Sequence, residues 1–175
     1  MTDERSETVL RALRRTRQIR RFTDQPVDEA ALQSILEVAR WTGSSMNSQP
    51  WTFIVLRDEE ARRRIGESTR YARHVGGAPT AIAIVMPGKD PETDAYDEGR
   101  VAERIMIAAS ALDLGAGIGW VEGEEHATVD ELLGVTPPAL MRTIVAIGHP
   151  TEEALRPRSG PGTGRKPLSE FVRER

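Results

Sequence analysis

The polar run Ser44-Ser45-Met46-Asn47-Ser48-Gln49-Pro50-Trp51 leads straight into the apolar stretch Thr52-Phe53-Ile54-Val55-Leu56. Hydroxyls and amides delivered at the mouth of a strand can hydrogen-bond the edge of a flat heteroaromatic ring. Upstream lies an arginine cluster, Arg14-Arg15-Thr16-Arg17-Gln18-Ile19-Arg20-Arg21-Phe22. Guanidinium forks take phosphate in a bidentate way. A phosphate clamp followed by a ring-contacting segment points to a mononucleotide cofactor rather than a peptide or a sugar.

These groups need elements to hold them. Residues 7 to 16 read as an arginine-rich helix with Val9, Leu10 and Leu13 on one face. Pro26-Val27-Asp28 opens a second helix, capped by Asp28 and carrying Leu32, Ile35, Leu36 and Ala39 at helical spacing, with Gly43 as its stop. Residues 51 to 57 read as a strand and 58 to 70 as a charged helix. Thr80 to Met86 is a continuous β-favouring run, the pattern of a strand buried on both faces. A loop over 87 to 94 precedes the longest helix, expected at about 97 to 114 and rich in small residues. A strand at 117 to 121, a short helix at 128 to 133 and a strand at 141 to 147 follow. The tail from Thr151 is rich in Pro, Gly and Arg and reads as an arm over the surface. Helices and strands alternate, which implies helix and sheet in at most three layers, with four or five strands.

Composition narrows the chemistry. The 175 residues suit one domain, 1–175, with 38% apolar and 29% charged residues, as in soluble globular proteins. Net charge is -3, so nothing global points to nucleic acid, and no run approaches the roughly 20 apolar residues of a membrane span. The absence of cysteine removes disulfides, thiolate nucleophiles and cysteine-held metals. The polar N-terminus has no signal-peptide segment, so a cytoplasmic protein is expected. His74, His126 and His149 stand far apart and read as surface or turn residues, which leaves no metal site. Gly115-Ala116-Gly117-Ile118-Gly119 mimics a dinucleotide fingerprint, but Trp120 stands where the third glycine belongs and the run opens a strand. Gly160 to Pro167 mimics a P-loop without its Gly-Lys-Ser/Thr end. No Gly-x-Ser-x-Gly elbow is present.

Four segments in order resemble the nitroreductase family of flavin oxidoreductases, over about residues 8 to 172. Thr16-Arg17-Gln18-Ile19-Arg20-Arg21-Phe22 is similar to the family's Arg-Arg-Ser-x-Arg-x-Phe, with Thr16 at an arginine position and Gln18 at a serine position. Ser44 to Trp51 resembles Pro-Ser-x-x-Asn-x-Gln-Pro-Trp, with Gly43 for the leading proline. Gly117 to Gly123, after a small-residue helix, resembles the strand that ends in a turn over the flavin. Gly148-His149-Pro150 and Arg165-Lys166-Pro167 resemble the family's tail.

The resemblance implies an α+β, three-layer fold with a mainly antiparallel sheet flanked by helices, and an extended C-terminal arm (155–175) reaching a partner subunit. It implies FMN bound at the interface of a homodimer. Arg17 and Gln18 would lie by the phosphate and ribityl chain, and Arg20 by the pyrimidine end. Ser44, Ser45 and Asn47 would reach the flavin from across the dimer. Glu122 and Gly123 would lie at the ring edge near N5, and Arg165 would give a second phosphate contact, with Arg156 and Arg158 as alternatives. NAD(P)H would be the co-substrate, passing hydride through the flavin to a nitroaromatic or quinone by ping-pong exchange. The flavin would mediate the chemistry without a catalytic side chain. The alternatives within this fold are a specialised flavin reaction, such as dehalogenation or dehydrogenation, and a non-catalytic flavin-binding protein. A nucleic-acid binder would need interleaved exposed aromatics that the arginine cluster lacks.

Overall fold

The computed structural model describes residues 3–157 and 164–174. The first helix, α1, spans Glu4–Arg15 and is capped by Asp3, which accepts from the Ser6 amide. Helix α2 covers Glu29–Arg40, with the Asp28 carboxylate accepting from the Ala31 amide. Then come β1 (Thr52–Leu56), α3 (Glu59–Ser68), β2 (Thr80–Met86) and α4 (Pro91–Ala111). Strand β3 (Gly115–Trp120), α5 (Glu125–Leu133), β4 (Leu140–Gly148) and the single turn α6 (Glu152–Leu155) complete the order.

The four strands form one sheet in the order β1-β2-β4-β3, and every neighbouring pair is antiparallel. A fifth strand is reduced to one parallel bridge, Gln18 to Ala116, at the outer edge of β3. All seven residues of β2 are buried, as its unbroken apolar run requires. Its side chains alternate between two cores. Ile82, Ile84 and Met86 pack with Leu32 and Ile35 of α2 and Val101 and Ile105 of α4. Ala81, Ala83 and Val85 pack with Ile65 of α3 and Val129 of α5. The sheet is therefore the middle of three layers. Among the described residues no helix is long and apolar enough to cross a membrane.

Several boundaries differ from the sequence reading. Helix α4 starts at Pro91, about two turns earlier than expected, because Asp90 accepts from the Thr93 amide and Pro91 takes the first helical position. Its polar first turns carry no apolar periodicity, so they read as loop. Helix α2 ends at Arg40 with Trp41 as its cap, the Trp41 amide donating to the Glu37 carbonyl and the Thr42 amide to the Ala39 carbonyl; Gly43 lies beyond the end and stops nothing. Helix α1 buries none of its residues, and Val9, Leu10 and Leu13 are exposed. The arm begins with the α6 turn, and Gly160 and Arg158 lie outside the described residues.

The N-terminal half of α4 buries three carboxylates, each holding a different segment. Asp94 accepts from the Gly88 amide at 2.8 Å and Asp97 from the Ser45 amide at 3.0 Å. Glu98 accepts from Arg142 Nε at 3.1 Å, and burial pushes its carboxyl above the ordinary range.

Candidate functional site

The outer edge of β3 carries the candidate site. The segment after α1 runs beside it. The Ile19 amide donates to the Ala116 carbonyl at 2.8 Å, and the Gln18 side-chain oxygen accepts from the Ile118 amide at 2.7 Å. This close approach needs the glycines of β3. A Cβ at Gly115 would lie 2.6 Å from the Ile19 side chain, and one at Gly117 would collide with the Ile19 carbonyl oxygen. The Gly-Ala-Gly-Ile-Gly run is thus a flat strip on which another segment lies.

Two of the cavities along this edge share Gln18 and Arg20. The larger, about 560 Å³, is lined by Gln18, Arg20, Arg70, Tyr71, Arg73, His74, Ile118 and Trp120. The smaller, about 220 Å³, lies between Arg17–Arg21 and α6 and is lined by Arg17, Arg20, Arg21 and Arg156 together with Glu153. Arg17 donates to the Ala154 carbonyl at 2.8 Å, which fixes its guanidinium against the tail, and Arg21 pairs with Glu153.

His74 departs from the sequence reading. It is neither a surface nor a turn ornament but a half-buried wall of the larger cavity. Its Nε2 lies 3.1 Å from the Gly117 carbonyl oxygen, which can only accept, so Nε2 carries the proton. Burial pushes its pKa below 6.5, and the nearby Arg20 charge adds to this, against the opposing pull of the Gly117 hydrogen bond. A lowered histidine pKa contributes stability that is complete above the unfolded value and lost as pH falls through the folded one. The Tm of the wild type should therefore fall relative to His74→Gln on going from about pH 7 to about pH 5, because glutamine keeps an N–H donor and does not titrate. Parallel pH profiles of the two proteins would refute this placement.

The remaining predicted residues lie elsewhere. Ser44, Ser45 and Asn47 are held in a strained loop, with left-handed φ angles of 51° at Met46, 55° at Asn47 and 47° at Gln49. Ser44 Oγ accepts from the Gln49 amide at 2.8 Å, and Asp97, fully buried, anchors Ser45. Ser44 and Ser45 line their own cavity of about 380 Å³ with Tyr96, Asp97 and Arg100. This loop leads into β1, one edge of the sheet, whereas Gln18 and Arg20 sit beyond β3, the other edge. Glu122 and Gly123 form an exposed turn just past Trp120, with Gly123 at φ 57°. Arg165 is exposed and lines neither cavity; Arg156 is the tail arginine that does. The structure thus brings Arg17, Gln18 and Arg20 together and leaves Ser44, Ser45 and Asn47 apart from them. Sequence reasoning missed Tyr71, Arg73 and His74. The only local signal was the unusual density of arginine and aromatic residues in Arg70-Tyr71-Ala72-Arg73-His74.

Among the described residues no group of three or more His, Cys, Asp or Glu could hold a metal ion. The all-antiparallel four-stranded sheet between two helical layers matches the fold of solved nitroreductases. The nitroreductase family model matches residues 13–72, which span both the arginine cluster and the Ser44–Trp51 run. A Desulfovibrio desulfuricans protein assigned as a nitroreductase and solved in complex with FMN is 32% identical, with a TM-score of 0.79, over 95% of this chain and 96% of that one. An Archaeoglobus fulgidus protein assigned as an NADH dehydrogenase/NAD(P)H nitroreductase is 29% identical over 84% of this chain and 88% of its own length. The FMN reductase [NAD(P)H] of Bacillus subtilis is 28% identical over 85% of this chain and 68% of its own. The chain belongs to the nitroreductase family.

Proposed function

We propose that this chain is an FMN-dependent oxidoreductase, taking hydride from NAD(P)H and passing it to an oxidising acceptor such as a nitroaromatic or quinone. The observation that carries the reading is the pair of adjoining cavities on β3. The arginine-lined one suits a phosphate, the aromatic-walled one suits a planar ring, and Gln18 and Arg20 belong to both. The residues present therefore fit a flavin mononucleotide, whose chemistry when bound is to accept and donate a hydride.

The chain's own part is to bind and orient. Arg17, Arg21 and Arg156 hold the phosphate. Arg20 faces the ring end, where its permanent charge favours developing negative charge. The glycines of β3 let the Arg17–Arg21 segment and His74 come close enough to form one wall. Gly123 offers its amide at the open end of the strand, beside Glu122, whose own amide donates to the Glu125 carboxylate. Ser44, Ser45 and Asn47 lie at the far edge of the same sheet, so they complete the site from a second copy. That makes a homodimer the working unit, with the exposed face of α1 and the arm from residue 155 as contacts to the partner. We place the protein in the cytoplasm, where NAD(P)H is supplied.

The test is the visible spectrum of the purified protein, before and after anaerobic addition of NADPH or NADH. Flavin bands that bleach are expected. Bands that persist would remove the oxidoreductase reaction and leave flavin binding. A colourless protein that cannot be loaded with FMN would remove the reading altogether.

A further inference from the structure

One wall of the aromatic-lined cavity is the stretch from Arg70 to His74, which runs antiparallel along β3 from outside the sheet. It is fastened to the β3 stretch at three points. At one end His74 Nε2 donates to the Gly117 carbonyl at 3.1 Å. In the middle Ala72 lies so close that a Cβ added to Gly119 would stand 2.6 Å from the Ala72 Cβ. At the other end the β3 chain is leaving the sheet. The Val121 amide still donates to the Arg142 carbonyl at 2.8 Å, and the Glu122–Gly123 turn follows, with Gly123 at φ 57°. Here the fastening comes from a side chain of α5. One Glu125 carboxylate oxygen accepts from the Arg70 amide at 2.8 Å and the other from the Glu122 amide at 3.3 Å. The Glu125 amide donates back to the Glu122 carbonyl at 3.2 Å, so the carboxylate sits over the turn that it caps. The cavity residues Arg70, Tyr71, Arg73, Ile118 and Trp120 all fall between the His74 and Glu125 contacts.

We propose that Glu125 is a positioning residue for the cofactor. It sets how far the Arg70–Tyr71 wall stands from the Glu122–Gly123 turn, and so the width of the slot that takes the flat ring. The inference rests on the flavin reading above and adds to that site a residue outside the cavity lining. A carboxylate suits the task because both partners are N–H donors, so both of its side-chain atoms must accept. Glutamine offers one accepting oxygen and an NH2 group that cannot accept, and alanine offers neither. Groups that touch a ligand hold it well when a supporting shell locks them, and a wall free to swing away forfeits its contacts on that face.

The experiment is an FMN titration of the wild type, Glu125→Ala and Glu125→Gln. It is read by heat for affinity and by the emission of the bound flavin, which contact with Tyr71 and Trp120 quenches. Both Glu125 hydrogen bonds lie at the surface, so the variants keep the fold. Glu125→Ala should weaken FMN binding about tenfold and brighten the bound emission, with Glu125→Gln between it and the wild type. Asp28→Ala is the comparison, since it uncaps α2 in the opposite helical layer. It should lower Tm and leave both readouts unchanged. Wild-type affinity and emission in Glu125→Ala would overturn this inference alone, whatever the Tm of that variant. So would a Glu125→Gln protein indistinguishable from the wild type, since one contact would then suffice. A wild-type protein that takes up no FMN would overturn the flavin reading and this inference with it.

Discussion

Gly117→Ala is expected to empty the site and weaken the fold together. The added Cβ would meet the Ile19 carbonyl oxygen and stand 3.2 Å from the His74 ring. The first neighbour is backbone, held in turn by the Ile19 amide on Ala116, so it cannot yield as a flexible side chain would. Relief requires the whole Arg17–Arg21 segment to lift from β3, which breaks the Gln18–Ile118 contact and moves Arg20. Overpacking of this kind costs about 3 kcal/mol, which in a chain of this size lowers Tm by about 6–12 °C. The purified variant should be colourless. Gly99→Ala on α4 is the control, since no atom lies within 4 Å of its added Cβ; it should gain up to about 1 kcal/mol from helix propensity. A flavin-bound Gly117→Ala protein of unchanged Tm would show that the close approach is not required.

Asp97→Ala should do comparable damage from the other edge of the sheet. The Asp97 carboxylate is fully buried, accepts from the Ser45 amide and lies 3.3 Å from Arg100 Nη1. It is what fixes a loop with three non-glycine residues in left-handed backbone, a conformation that costs roughly 1–2 kcal/mol per residue. Removing a charged acceptor from a part-buried hydrogen bond costs about 2 kcal/mol, or about 4–8 °C in Tm. Asp97 touches neither cofactor nor substrate in this account, so it is a positioning residue. Its distinguishing readout is FMN affinity, expected to fall about tenfold, with Asp97→Asn restoring most of both quantities because its amide oxygen still accepts. An Asp97→Ala protein that loses stability but keeps its FMN affinity would make the role structural only.

The sequence reading caught what depends on neighbours in the chain. The unbroken run at Thr80–Met86 gave β2, and Asp28 followed by Leu32 and Ile35 gave α2. The arginine cluster could be picked out because its density is unusual in itself. Three features depended on distant partners and stayed hidden. His74 matters because it meets Gly117, 43 positions away. Asp97 matters because Ser45 lies 52 positions upstream. The first turns of α4 are polar although they are ordered, since Asp94, Asp97 and Glu98 are buried by hydrogen bonds rather than by apolar packing. Gln18 stands where the family's motif has serine. In the fold it is long enough to reach the Ile118 amide, a task for which serine is too short.

That Gln18 contact bears on how copies of this chain behave in a crowded solution. Strand β3 ends the sheet, and a bare sheet margin recruits strands from other molecules into growing aggregates. Here the Ala116 carbonyl is taken by Ile19 and the Ile118 amide by the Gln18 side chain. The margin is thus blocked by side chain and main chain in turn, without a full fifth strand. A short crossing segment does the work of a sealing strand while leaving the rest of the edge open, so protection from aggregation and access to the cavity come from the same few residues.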